Sequence, residues 1–197
     1  KKHLVKIIKK INKLNFDFLL IGGDLIDSSS FDFKYLNVLK EIDKPIYFVS
    51  GNHEYYLKDY RNKINQLASF NIKHLKNTNI KIEDINLIGI DDNQTEKSKI
   101  DFANKLCDDN LFNLVVCHKP DIWQKLNCKN YLMLSGHTHN GQIFPFNFVV
   151  KLKFKFIYGL YSMNNSNLYV SSGAACWGPK IRLGSNNEIT HLKLGKI

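Results

Sequence analysis

Ser135-Gly136-His137-Thr138-His139-Asn140-Gly141-Gln142 follows directly on the apolar run Tyr131-Leu132-Met133-Leu134. The run reads as a buried strand and the glycines as the turn that ends it. Two histidines two residues apart, leaving one strand end, are able to face the same small volume. Imidazole is the commonest side-chain metal ligand. One such pair is only a hint, and its weight depends on what the rest of the chain delivers to the same place.

Three further clusters have the same form. Gly22-Gly23-Asp24 follows Phe18-Leu19-Leu20-Ile21, Gly51-Asn52-His53-Glu54 follows Ile46-Tyr47-Phe48-Val49-Ser50, and His118 ends Leu114-Val115-Val116-Cys117. Four apolar runs thus each deliver Asp, Asn or His at the carboxyl end, where open α/β sheets place their sites. Helical patterns at about 2–14, 32–41, 58–68 and 97–107 alternate with strand patterns at about 17–22, 45–50, 86–90, 111–117 and 130–135, which is the signature of α/β architecture. The last fifty residues change character: they show short aromatic-rich strand patterns and no good helix.

A chain of 197 residues suggests one domain with room for a substantial core. No apolar run is long enough for a transmembrane helix. Cys107, Cys117, Cys128 and Cys176 show no Cys-x-x-Cys spacing, and reduced, mostly structural thiols are expected. The net charge of +10 comes almost wholly from lysine. Lysine, asparagine and isoleucine dominate the chain, as AT-rich coding would produce, so the charge alone identifies no partner. Arginine, favoured for bidentate phosphate and base contacts, occurs only at Arg61 and Arg182, which disfavours nucleic acid.

Gly-Gly-Asp-Leu-Ile-Asp, Gly-Asn-His-Glu, the strand-ending His118 and Gly-His-Thr-His resemble the motifs of the calcineurin-like metallophosphoesterases. The tail (Gly159-Leu160-Tyr161, Leu168 to Gly173, Pro179-Lys180-Ile181-Arg182-Leu183 and Glu188-Ile189-Thr190) resembles one bacterial branch of membrane-associated phosphodiesterases. That branch includes enzymes that cleave the pyrophosphate of a UDP-2,3-diacylglucosamine in lipid A biosynthesis. The resemblance runs from about residue 14 to the C-terminus. It implies two mixed β-sheets packed face to face, helices outside, and metals at one edge.

The resemblance also implies roles. Asp24 bridges two divalent ions. Asn52, His118 and His137 join it on one, and His139 joins it on the other. Manganese suits this mixed oxygen and imidazole set best, ahead of zinc or iron. His53 and Asp27 form the candidate catalytic pair: His53 faces the phosphate and assists the leaving oxygen, while Asp27 orients its ring. Asn140 stands where close relatives often have glycine. The Asp-x-His motif that opens the family is absent. Lys1 to Asn15 read as the helix that should follow its strand, so residues 1–197 are expected to be a single domain without its first strand, with Asp-x-His upstream of Lys1. His3, His74 and His191 belong to no cluster and read as surface residues.

Directly after the metal loop, Lys151 to Phe156 alternate lysine with Leu or Phe, a strand period. Within the aromatic segment 144–158 this reads either as a half-buried strand or as a surface that meets acyl chains and anionic headgroups. The expected function is dinuclear metal-dependent hydrolysis of a phosphodiester or pyrophosphate, in a lipid-linked sugar nucleotide, by a cytoplasmic protein peripheral on the inner membrane. The alternatives are a nucleotide or nucleic-acid phosphodiesterase and a non-catalytic binding scaffold of the same fold.

Overall fold

Side chains that alternate along each strand decide how the layers stack. In the computed structural model, which describes residues 2–195, β1 (Leu19–Ile21), β2 (Ile46–Phe48) and β3 (Ile72–His74) form a parallel sheet in that order. A second sheet is built from β4 (Thr78–Ile82), β5 (Ile85–Ile90), β6 (Phe112–Cys117), β7 (Tyr131–Ser135), β8 (Gly159–Met163) and β9 (Ser166–Val170), in the order β4-β5-β6-β7-β9-β8. Its central strands run parallel, and the edge strands β4 and β8 antiparallel.

Along β5 and β6, Leu87, Leu114 and Val116 face inward toward the first sheet, where they meet Val49 and Leu75. Their neighbours Ile88, Ile90, Val115 and Cys117 face the other way, onto Ala103 of α4 (Glu96–Leu106), Trp123 and Phe156. Likewise Ile46 and Phe48 of β2 pack on Ile8 and Ile11 of α1 (Lys2–Ile11), while Tyr47 packs between the sheets. The result is the expected sandwich of two mixed-environment sheets with helices outside. Each fully buried side chain of this size contributes roughly 1.5–3 kcal/mol.

Three helices complete the framework: α2 (Asn52–Tyr55), α3 (Tyr60–Gln66) and α5 (Phe146–Lys153). The helical pattern at 32–41 is a 3-10 segment, Phe33–Glu41, started by Asp32, whose side chain accepts from the Lys34 N–H. β3 and β4 were not expected: both interleave apolar with polar or charged residues (Ile72-Lys73-His74, Thr78-Asn79-Ile80-Lys81-Ile82) and lack the continuous apolar run that marks β1, β2 and β7.

Two expectations are corrected. The last fifty residues do contain a helix, α5, where a strand alternation was read over Lys151 to Phe156. Pro145 immediately precedes the helix, and Asn147 packs so closely on Gly141 that a Cβ there would lie 2.3 Å from the Asn147 Cα. The helix is therefore set by contact with the loop behind it and not by its own period. The cysteines are also not all free: Cys107, at the end of α4, and Cys128 form a disulfide across 5.8 Å between Cα atoms. Their separation of 21 residues gave no local signal. Cys117 and Cys176 are free thiols.

Candidate metal centre

Because β1 and β2 are parallel, and β6 and β7 likewise, their carboxyl ends lie at one edge. The loops there are tightly packed. A Cβ on Gly51 would lie 2.2 Å from Asp24 Oδ1, and one on Gly23 2.5 Å from His118 Nδ1. These glycines are thus required by close approach. Asp24 itself sits in the left-handed region at φ 55°, a conformation that costs a non-glycine residue about 1 kcal/mol or more.

Three groups meet there. His118 Nε2 lies 3.1 Å from Asp24 Oδ2 and 3.2 Å from His137 Nδ1. Asp24, His118 and His137 offer ligand atoms all within 4.8 Å of one another. His118 Nδ1 is 2.8 Å from the Gly22 carbonyl, to which it donates; that leaves the lone pair on Nε2. Two ring nitrogens and a carboxylate oxygen at such distances repel unless a proton or a cation lies among them. Asn52 Oδ1 is buried and has no hydrogen-bond partner among the described residues. An orphaned buried acceptor is costly, and a cation is what would satisfy it. The oxygen and imidazole donors, with no thiolate among them, fit a divalent metal of the manganese, zinc or iron type.

The charges agree with this. Burial opposes the charged form of Asp24, but the His118 hydrogen bond and charge and the His53 N–H outweigh it and hold the carboxyl at about 2. Burial, then the charge of His118, lowers His137 to about 4, so its ring is neutral and ligand-competent. For His118 burial is again opposed, and Asp24 prevails, raising its pKa.

His53 donates its backbone N–H to Asp24 Oδ1 at 3.0 Å, and its ring Nε2 lies 4.0 Å from Asp24 Oδ2. It borders the cluster without joining it. Asp27, expected to orient this ring, is exposed, and no contact between the two occurs among the described residues. The carboxylate that the fold sets beside His53 is that of Asp24. His139 lies outside the three-residue cluster but within electrostatic reach of Asp24, His118 and His53; burial, then Arg182, lowers it to about 4. Asn140 adopts φ 52°, the left-handed conformation that glycine takes most easily. Of the histidines read as surface residues, His3 and His191 are exposed, but His74 is half-buried, 2.9 Å from Ser50 Oγ, with its pKa lowered by burial.

Two participants were missed. Glu54 is fully buried and accepts from the N–H groups of Asp24 at 3.0 Å, Ile26 at 2.9 Å and Gly51 at 2.8 Å. One carboxylate thereby ties the loop of Asp24 to that of Asn52. The Gly51-x-x-Glu54 spacing, that of a capping box, was the available signal. Behind His118, Asp92 is buried between Lys99 at 2.7 Å and Lys119 at 2.8 Å, an ion triad with no local sequence signature.

Two packed sheets that bring Asp, Asn and His from four strand ends to one edge define a metal-dependent phosphoesterase fold. Residues 2–141 match the family described as calcineurin-like phosphoesterase, and the chain belongs to that family. It is 36% identical over 211 residues to an uncharacterized metallophosphoesterase of Campylobacter jejuni, covering 97% of this chain and 54% of that protein. An uncharacterized metallophosphoesterase of Helicobacter pylori is 36% identical over 200 residues, covering 95% of this chain and 54% of its own length. A transmembrane protein with metallophosphoesterase domain from Bos taurus is 35% identical over 217 residues, covering 95% and 48%. The chain spans about half the length of these relatives. No helix among the described residues is long and apolar enough to cross a membrane.

Proposed function

We propose that this chain is the hydrolytic domain of a phosphodiesterase or pyrophosphatase whose substrate is a lipid-linked phosphate compound, of the UDP-2,3-diacylglucosamine type. The observation that carries hydrolysis is the convergence of Asp24, His118 and His137 beside the buried, unpartnered Asn52 Oδ1. Two divalent ions, manganese by preference, would neutralise phosphate charge and acidify the attacking water when bound. Asp24, Asn52, His118 and His137 would hold one; Asp24 and His139 would contribute to the other. His53, whose side chain is 22% exposed beside the cluster, would donate a proton or hydrogen bond to the leaving oxygen. Asp24, through its contacts with His53 N–H and ring, takes over the orienting role first given to Asp27.

The lipid part of the reading rests on the surface beside the metal loop. Helix α5 turns its more apolar side outward: Phe148, Val149 and Leu152 are exposed, Leu152 by 89%, while Asn147 and Val150 are partly covered. Phe144, Phe146, Trp177 and Ile181 are exposed too. From Ile122 through Asn187 the chain has no Asp or Glu, and Lys151, Lys153, Lys155 and Lys180 border the exposed aromatic residues. Apolar groups rimmed by cations suit acyl chains beneath anionic headgroups.

Hydrolysis by the full-length protein with manganese of the diacylated compound, its deacylated form and a single-stranded oligonucleotide tests the reading. A buried acyl methylene is worth about 0.8 kcal/mol, so the diacylated compound should be strongly preferred. Equal rates with and without acyl chains would reduce the proposal to a general phosphodiesterase, and preference for the oligonucleotide would replace it with a nuclease.

A further inference from the structure

We propose that Arg182 is a positioning residue that holds His139 ready for an ion, and that the C-terminal segment is in this way part of the metal centre. The proposal deepens the metal reading above and rests on it. Nη1 of Arg182 donates to the His139 carbonyl at 3.0 Å and to Ser185 Oγ at 3.2 Å. Nη2 donates to the carbonyls of Ser172 and Ala175, both at 2.6 Å, and lies 3.4 Å from His139 Nδ1. The two terminal nitrogens carry four N–H groups, and the chain itself accepts all four. Arg182 therefore has no terminal donor left for a phosphate oxygen, the usual task of an arginine beside a phosphate site. Its remaining function is to grip the backbone of His139 and face its ring.

That grip answers a specific difficulty. His139 at φ 49° and Asn140 at φ 52° are consecutive left-handed residues, neither of them glycine. Such residues cost on the order of 1 kcal/mol each and persist only where their surroundings over-determine them. The carbonyl that Arg182 holds is that of His139 itself, so relaxation of this turn would swing the imidazole away. The residue type is informative as well. In a chain whose cations are almost all lysine, this junction carries one of two arginines. A planar fork spans the carbonyls of four backbone positions, His139, Ser172, Gly173 and Ala175, whereas a lysine ammonium on its flexible stem does not reproduce that geometry.

The test uses the full-length protein, stripped with chelator and titrated with MnCl₂, with bound manganese per chain read by atomic emission. Arg182→Lys and Arg182→Gln are expected to weaken one manganese by roughly 10–100-fold, the range for groups that orient metal ligands, leaving the other in place and the circular dichroism unchanged. Gln142→Leu is the control. The Gln142 side chain joins the same loop to the same tail, through the Trp177 carbonyl at 2.7 Å and N–H at 2.7 Å; its bond to the His139 carbonyl, at 3.0 Å, comes from the backbone N–H, which the substitution keeps. It should lower the melting temperature and leave both manganese affinities as in wild type. Wild-type manganese binding in both Arg182 variants would overturn the proposal. So would equal loss in Gln142→Leu, or failure of the Arg182 variants to fold, since either makes Arg182 a latch of the fold alone. Wild-type protein that takes up no manganese would bring down the metal reading itself, a result separable from the others.

Discussion

The two halves of this site are built differently. Asp24, Asn52, His118 and His137 leave parallel strands within a residue or a few of their ends, backed by glycines and by the three N–H groups gathered on Glu54. The other half, from His139 to Leu183, opens on a run of left-handed residues, 139 to 142, held by a distant tail. It carries a helix whose apolar side faces outward. The first half is rigid because the sheets fix it. The second is held by side chains reaching across more than thirty residues, and it is where the chain meets whatever lies outside. On the function proposed above, most of the ligand set sits at strand ends, while recognition would fall to the cap.

The largest expected effect breaks the strand-end half. His137→Ala should lose the metal held with His118 and lower turnover by roughly 10³-fold or more, the several kcal/mol that metal charge supplies. Metal content and rate should fall together. His53→Ala sharpens the contrast: turnover should fall roughly 10²–10⁴-fold with metal content intact, and the loss should shrink for a nitrophenyl ester, whose leaving group needs no proton. Metal depletion in His53→Ala equal to that in His137→Ala would merge the two roles. Glu54→Ala strands buried N–H groups and should destabilise the fold by roughly 3 kcal/mol, measured by urea unfolding. An unchanged midpoint would remove Glu54 as the tie between the loops.

The sequence made the strand-end half readable because each ligand follows its own apolar run: Gly-Gly-Asp after one, Gly-Asn-His after another, His118 and Gly-His-Thr-His after the last two. Strand, turn and ligand are contiguous, so periodicity and turn chemistry suffice. The cap was misread because its structure is set from a distance. The alternation over Lys151 to Phe156 is real, but contact between Asn147 and Gly141 and the start at Pro145 impose a helix. Arg182 appeared as a rare arginine and as part of the tail stretch Pro179 to Leu183, with no sign of its contact with His139, because pairing across loops has no period. The Cys107–Cys128 disulfide was hidden for the same reason.

Smaller effects probe the cap. Phe148→Ser combined with Leu152→Asn should lower the preference for diacylated over deacylated substrate by roughly 10–100-fold, through lost apolar burial, while hydrolysis of a soluble nitrophenyl ester stays unchanged. Unaltered preference would detach α5 from recognition. A last effect is on pH. His137 and His139 stay neutral to about 4 in the folded chain, whereas free histidine titrates near 6.5. Between those values the unfolded chain binds more protons, so acidification from 6.5 toward 4 destabilises the metal-free protein. His118, with its raised pKa, acts oppositely: its contribution is complete below 6.5 and is lost as pH rises through its folded value. The urea midpoint of chelator-treated protein should therefore pass through a maximum near neutrality, and a flat profile would contradict the burial assigned to these rings.

The most direct test of the central claim, that the strand-end half is a metal centre, is anomalous scattering at the manganese edge from crystals of the protein grown with MnCl₂. The account predicts a peak about 2.0–2.4 Å from Asn52 Oδ1, an Asp24 carboxylate oxygen, His118 Nε2 and His137 Nδ1 together. The absence of a peak at that position, or one bound instead by the thiols of Cys117 or Cys176, would contradict it.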